Sequence, residues 1–221
     1  SPNFLNNIAG RITSILMNFL LVRMGGETAV SVYGILMYAE GFIQPLLYGM
    51  CDSLQPAVGY NWGAGRFSRV RAIERCCFAA SAVVSLLSAA AIALAPEFLT
   101  RLFVADAAPG VLALSVGALR LFALTYITRW FSFAVQSYML AVEKPLPASL
   151  ISVCTALVFP VLLLLLFSPW GLTGIWLNFA GTSALAGLLA GGVLLHKRKQ
   201  LARPDEPVKD GTEETERPPA R

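Results

Sequence analysis

Long apolar stretches separated by short polar segments fill the sequence between residues 4 and 195. An α-helix rises about 1.5 Å per residue, so about 20 apolar residues are needed to cross the hydrocarbon core of a bilayer. Six stretches reach or approach this length: residues 4–22, 33–59, 76–95, 111–141, 147–167 and 171–195. The pattern therefore predicts an all-α membrane protein with a six-transmembrane-helix bundle.

Composition agrees with a lipid environment. Hydrophobic residues make up 56% of the 221 residues, charged residues make up 14%, and the mean hydropathy is +0.65. A soluble domain of this size does not need so much apolar surface. The net charge of +4 comes from short clusters and not from an extended basic face, which argues against a nucleic-acid partner. The bilayer is the expected surroundings of residues 1–201.

Positive charge predicts the orientation of the bundle. The loop after the second stretch carries Arg66, Arg69, Arg71 and Arg75, the loop after the fourth carries Lys144, and basic residues 197–199 follow the sixth. All three segments lie on one side, and the positive-inside rule assigns that side to the cytoplasm. We therefore expect a multi-pass protein of the cell inner (plasma) membrane with both termini in the cytoplasm. Residues 202–221 are polar and proline-rich, which predicts a disordered cytoplasmic tail.

Ionisable residues within the apolar stretches are the strongest functional signal, because a charge at bilayer depth normally faces a bundle interior or a water-filled cavity. Glu40 lies near the middle of the second stretch and Arg129 near the middle of the fourth, at matched depths. Asp52 lies nearer the end of the second stretch, at about the depth of Arg11 in the first. Two ion pairs are therefore possible, one within each matched set. Each acid is either a structural partner of its arginine or part of a transport pathway.

Helix breakers and amides lie beside these charges. Pro45 and Pro56 interrupt the second stretch and Pro160 the fifth, and each leaves a carbonyl group that needs another partner. Gln55 and Gln136 add amide groups to the second and fourth helices. Interrupted helices are common in transporters.

The sequence gives little support for an enzymatic function. The single histidine, His196, follows the last stretch, so neither a serine and histidine pair within the membrane nor a zinc-binding HExxH helix can be built. There is no phosphate-binding GxxxxGK[ST] loop. The protein is expected not to be an enzyme, to need no cofactor and to draw any energy for uphill transport from an ion gradient or a partner.

A known family shares the segment from residue 25 to residue 71. A Gly-Gly turn precedes a helix that ends in Gln-Pro, and Tyr-Asn-x-Gly-Ala follows. The segment resembles the second half of multidrug and toxic compound extrusion transporters, and the likeness extends over residues 4–195. The signature positions are Gly25, Gly26, Gln55, Pro56, Tyr60, Asn61, Gly63 and Ala64.

The resemblance implies one lobe, the C-terminal one, of a twelve-helix two-lobe antiporter that exchanges protons or sodium for organic cations or drugs. Its partner would be an N-terminal lobe or a second copy of the chain. Some members use acids on the seventh and tenth helices, but residues 4–22 and 111–141 contain no Asp or Glu. The expected transport or coupling residues are therefore Glu40, Asp52, Gln55, Arg129 and Gln136. Alternatives are a lipid-linked precursor flippase of related fold and a transport-inactive membrane interaction protein.

Overall fold

The computed structural model describes residues 2–206, with side chains from residue 8 onward. Every regular element in this part of the chain is helical. The elements are α1 (Pro2–Ser53), α2 (Gln55–Gly63), α3 (Phe67–Leu94), α4 (Pro96–Phe103), α5 (Pro109–Ala123), α6 (Thr125–Ala141), α7 (Pro145–Val153), a π-helical turn (Cys154–Val158), α8 (Phe159–Phe167), a 3₁₀ turn (Ser168–Trp170) and α9 (Gly171–Leu201).

Two glycines convert the longest helical segments into pairs of membrane passes. Ile8–Gly63 and Pro145–Leu201 are apolar enough to span a membrane but contain 56 and 57 residues, more than twice what one pass requires. Gly26 (φ 60°, ψ −153°) reverses the chain within α1, and Gly171 (φ 62°) reverses it at the start of α9. These backbone angles are almost restricted to glycine. Each long segment therefore supplies two passes.

The remaining two passes complete the six-helix bundle. One is α3, and the other is formed by α5 and α6, which are bent by 42° at Leu124. The six predicted transmembrane helices are thus present, although their ends differ from those of the apolar stretches. For example, α3 begins at Phe67 and not at residue 76, because its basic first turns continue the helix beyond the apolar run.

The core lies between the passes and is built by side chains from all parts of the bundle. Fully buried members include Leu36, Phe122, Tyr126 and Ile175. Exposed leucines, isoleucines and phenylalanines cover the outer surface, as expected for a lipid-facing bundle. The small-residue pair Gly187 and Gly191 of α9 faces Thr128 and Phe131 of α6, where the two helices approach closely.

The first residues of the predicted tail contact the first turns of α3. The Asp205 carboxylate accepts hydrogen bonds from the Ser68 backbone N–H (2.7 Å) and hydroxyl, and the Arg71 guanidinium donates to the Arg203 carbonyl (2.9 Å). The two hydrogen bonds from Ser68 lower the pKa of the exposed Asp205. Residues 207–221, the rest of the predicted disordered tail, lie outside the described residues.

Candidate functional site

A cavity of about 530 Å³ opens between the first, second, fourth, fifth and sixth passes. Its lining combines charged groups, hydroxyls, amides and aromatic rings. The polar and aromatic lining residues are Arg11, Thr13, Ser14, Tyr33, Glu40, Gln44, Tyr48, Arg129, Ser132, Phe133, Gln136, Ser152, Thr155, Asn178, Phe179, Thr182 and Ser183. The third pass contributes no residue to this lining.

An ion pair joins two passes beside the cavity. The Arg129 guanidinium of α6 contacts the Glu40 carboxylate of α1, and the Tyr126 hydroxyl donates a hydrogen bond to the same carboxylate. The side chains of Arg129 and Glu40 are 18% and 11% exposed. The ion pair predicted from matched depths is therefore present. Tyr126, one helical turn before Arg129, is fully buried and was not predicted as a partner.

Aromatic rings cover the guanidinium. The Arg129 Cζ atom lies 5.3 Å from the centre of the Phe133 ring, and Tyr48 stacks on that ring with 4.2 Å between centroids. The Arg129 Nε atom is buried without a hydrogen-bond partner among the described residues. The arginine is thus held by one carboxylate and by cation-π contact, with a donor left over.

Polar side chains from other passes satisfy the backbone where the fifth pass is interrupted. Pro160 has no N–H to offer the Ala156 carbonyl, and the Thr13 hydroxyl donates to that carbonyl at 2.7 Å. The Asn178 amide donates to the Pro160 carbonyl (3.0 Å), and the Thr182 hydroxyl donates to Asn178 Oδ1 (2.9 Å). The carbonyl freed by Pro160 therefore finds a partner on the first pass, and the Pro160 carbonyl itself accepts a hydrogen bond from the sixth pass.

Asp52 and Gln55 form a separate cluster. The Gln55 amide donates to Asp52 Oδ1 (2.7 Å) and to the Ser137 hydroxyl (3.0 Å), which itself donates to Asp52 Oδ1 (3.0 Å). Neither Asp52 nor Gln55 lines the cavity, whereas Glu40, Arg129 and Gln136 do. The second predicted charge pair is not formed, because Asp52 is bonded to these neighbours while Arg11 lines the cavity. Among the described residues the pair of Glu40 and Arg129 is the one ion pair.

The signature residues shape the backbone at both ends of the second pass. Gly25 lies against Leu172, so that an added Cβ would come within 2.9 Å of it, and Gly26 reverses the chain. Pro56 lies in the first turn of α2, and the Asn61 amide donates to the Ala57 carbonyl at 2.8 Å. Tyr60 is exposed, and Gly63 and Ala64 end the helix. These residues build turns and helix ends, and none of them lines the cavity.

Comparisons with known proteins agree on one family. The MatE family model matches residues 2–166. Multidrug export protein MepA of Staphylococcus aureus (strain NCTC 8325 / PS 47) is 20% identical over 189 residues, which cover 86% of this chain and 41% of that protein. The MepA of Staphylococcus haemolyticus (strain JCSC1435) is 20% identical over 200 residues, covering 90% and 43%.

Solved structures show the same fold. The outward-facing structure of a multidrug resistance MATE family transporter of the MOP superfamily gives a TM-score of 0.84 at 16% identity, over 92% of this chain and 46% of that one. A MOP superfamily transporter from Pyrococcus furiosus gives 0.83 at 16% identity, over 92% and 46%. The chain therefore spans less than half the length of these proteins, which corresponds to one six-helix lobe.

Proposed function

The chain belongs to the MatE family, and from this premise we propose that it is the C-terminal lobe of a secondary active exporter of organic cations or drugs. The observation that supports the proposal best is the cavity beside the ion pair of Glu40 and Arg129. Such a cavity within a membrane bundle is a characteristic place for a transported ligand. The rings of Tyr33, Tyr48 and Phe133 offer stacking and cation-π contacts to a flat cation.

The ion pair suggests how exchange is coupled. Glu40 is the one carboxylate of the lining, and it is neutralised by Arg129. A proton, a sodium ion or a cationic substrate that reaches Glu40 would compete with the guanidinium for the carboxylate. An antiporter requires at least that the ion and the substrate compete for the same site. Each can then favour a different conformation, because a ligand shifts a conformational equilibrium only through its differential affinity for the two states. Asp52 and Gln55 lie outside the cavity. They contact Ser137 of α6, and through it they would influence the helix that carries Arg129.

Blocking the cavity tests this assignment. In a complete transporter that contains this lobe, we expect Gln136→Trp to reduce gradient-driven efflux of a fluorescent organic cation at least tenfold, because the indole fills space that the substrate needs. Leu188→Trp is the matched control, since Leu188 is 73% exposed on the outer surface of α9. Equal efflux by the two variants would contradict a substrate pathway through the cavity and favour an interaction protein. Inhibition of lipid-linked precursor translocation without any change in cation efflux would favour a flippase.

The basic loops also predict the orientation of the bundle in the membrane. We propose that the loop between α2 and α3 lies in the cytoplasm. In a background without Cys51, Cys76, Cys77 and Cys154, Arg69→Cys should be protected from an impermeant maleimide added outside intact cells. Asp106→Cys, on the opposite side of the bundle, should be labelled. Both residues are exposed, so the two positions differ in side and not in burial. The reverse labelling pattern would overturn the orientation.

A further inference from the structure

A second acid lies in the buried stripe of α3, away from the cavity. Buried residues recur along this helix at intervals of three and four: Phe67, Val70, Glu74, Cys77, Ser81, Ser85, Ala89 and Ile92. Glu74 is only 7% exposed. An acid in such a stripe faces the neighbouring helices and not lipid or water. Glu74 is therefore enclosed by protein, and it does not line the cavity that holds Glu40.

The carboxyl group of Glu74 differs from the other polar groups of this stripe. The Ser81 hydroxyl is 3.3 Å from Cys51 Sγ, and the Ser85 hydroxyl donates to the Tyr126 carbonyl at 2.6 Å. Glu74 Oε2, in contrast, is fully buried and has no hydrogen-bond partner among the described residues. A carboxylate in such a buried position, with one oxygen fully enclosed and unpaired, carries a large desolvation cost, which the group avoids by taking up a proton.

The charged and titratable groups around Glu74 do not supply that missing partner. On α1 these are Cys51 and Asp52, and on α6 there is Tyr138. On α3 itself they are Cys77, Arg71 and Arg75. None of these groups forms a hydrogen bond or an ion pair with Glu74 Oε2.

The three arginines of α3 are directed elsewhere. The Arg71 guanidinium is bonded to the Arg203 carbonyl, and Arg69 and Arg75 are exposed. Helix α2 has no acidic or basic residue. No cation within 4.0 Å balances Glu74 in the described part of the chain.

We propose that Glu74 is a proton-binding site of this lobe, occupied at neutral pH and separate from the pair of Glu40 and Arg129. The bound proton is held as the neutral carboxylic acid, and its release leaves the carboxylate. Glu74 is the eighth residue of α3, about 10 Å along the helix from its start at the basic loop. The proton therefore exchanges with the side that carries Arg66 and Arg69. A role in coupling rests on the proposed transport function, whereas proton binding itself does not.

Infrared spectroscopy of the 221-residue chain tests the protonation state directly. At neutral pH the carbonyl stretching band of a protonated carboxylic acid should be present, and it should disappear reversibly as the pH is raised. Glu74→Gln should lose this band. Glu97→Gln is the control, because Glu97 is exposed and its removal should leave the band unchanged. A wild-type chain without the band, or a Glu74→Gln chain that keeps it in full, would overturn the proposal.

Chemical labelling of the wild-type chain gives an answer that does not depend on whether the variant folds. Dicyclohexylcarbodiimide reacts with protonated carboxyl groups in apolar surroundings, so mass spectrometry should find the adduct at Glu74, decreasing as the pH is raised. The paired Glu40 should remain unmodified. Modification of Glu40 with Glu74 unmodified would overturn the assignment. If Glu74 is labelled but Glu74→Gln leaves proton-driven efflux by the complete transporter unchanged, the proton site stands and its role in coupling is refuted.

Discussion

Replacing Glu40 with glutamine is expected to remove most of the efflux activity of a complete transporter that contains this lobe. The change leaves the Arg129 guanidinium buried beside the cavity with no carboxylate, and the amide keeps only one acceptor oxygen where the carboxylate offered one to Arg129 and one to Tyr126. Breaking a buried ion pair by deleting one member costs about 3–5 kcal/mol. We expect a lowered thermal unfolding temperature in detergent together with the loss of transport.

A second substitution shows whether the stability loss of Glu40→Gln comes from the unpaired Arg129 charge or from the lost contact itself. Adding Arg129→Gln to Glu40→Gln should restore part of the stability, because the unpaired guanidinium is then gone. The coupling energy from the double-mutant cycle should be about 0.5–3 kcal/mol. Glu97→Gln, at an exposed position, is the control for the loss of one acid. If the two single changes simply add, the residues are not coupled, and Glu40 is a better candidate for a water-facing proton or cation site.

The 221-residue chain alone is expected to carry out no exchange, and this is the second large effect. In transporters built from two repeats, the ligand site lies at the repeat interface and access alternates by movement of one repeat against the other. The chain covers 41% of its relative MepA and 46% of the MATE structure, so it supplies one such unit.

Proteoliposomes give the measurement. Vesicles that contain only this chain should show no cation flux above empty vesicles when a proton or sodium gradient is applied, whereas the complete protein should transport. Robust antiport by the chain alone would mean that two copies associate to rebuild both halves, and it would contradict the assignment as a lobe that needs a different partner.

The passes themselves could be predicted from sequence because hydrophobic length is a local property. The break near Leu54 followed from Pro56, whereas the predicted interruption at Pro45 is wrong, because α1 continues through it. The reversal at Gly26 coincides with the Gly-Gly pair. The position of the 42° bend at Leu124 could not be predicted, since neither proline nor glycine lies there. Only the unusual length of the stretch from 111 to 141 indicated that this pass differs from one straight helix.

The site could be predicted in part. Matched depth was enough to pair Glu40 with Arg129, since an isolated charge is costly in a bundle. The depth of a residue in the membrane does not show which way its side chain points around the helix axis. Matched depth therefore also suggested a pair of Asp52 and Arg11, which the structure does not form. Tyr126 and Thr13 were missed because their contacts join residues far apart in the chain. Glu74 was missed because it lies just outside the apolar stretch that starts at residue 76.

Substrate protection of a cysteine in the cavity tests the central claim most directly. Ser14 lines the cavity, and its neighbour Ile15 is 71% exposed on the outer surface, so Ser14→Cys and Ile15→Cys form a matched pair. Each would be placed in the complete transporter without Cys51, Cys76, Cys77 and Cys154 and treated with a membrane-permeant maleimide. We predict that tetraphenylphosphonium slows labelling at position 14 in a concentration-dependent manner and leaves position 15 unchanged. Equal labelling rates at position 14 with and without the cation would contradict a cation-binding cavity in this lobe.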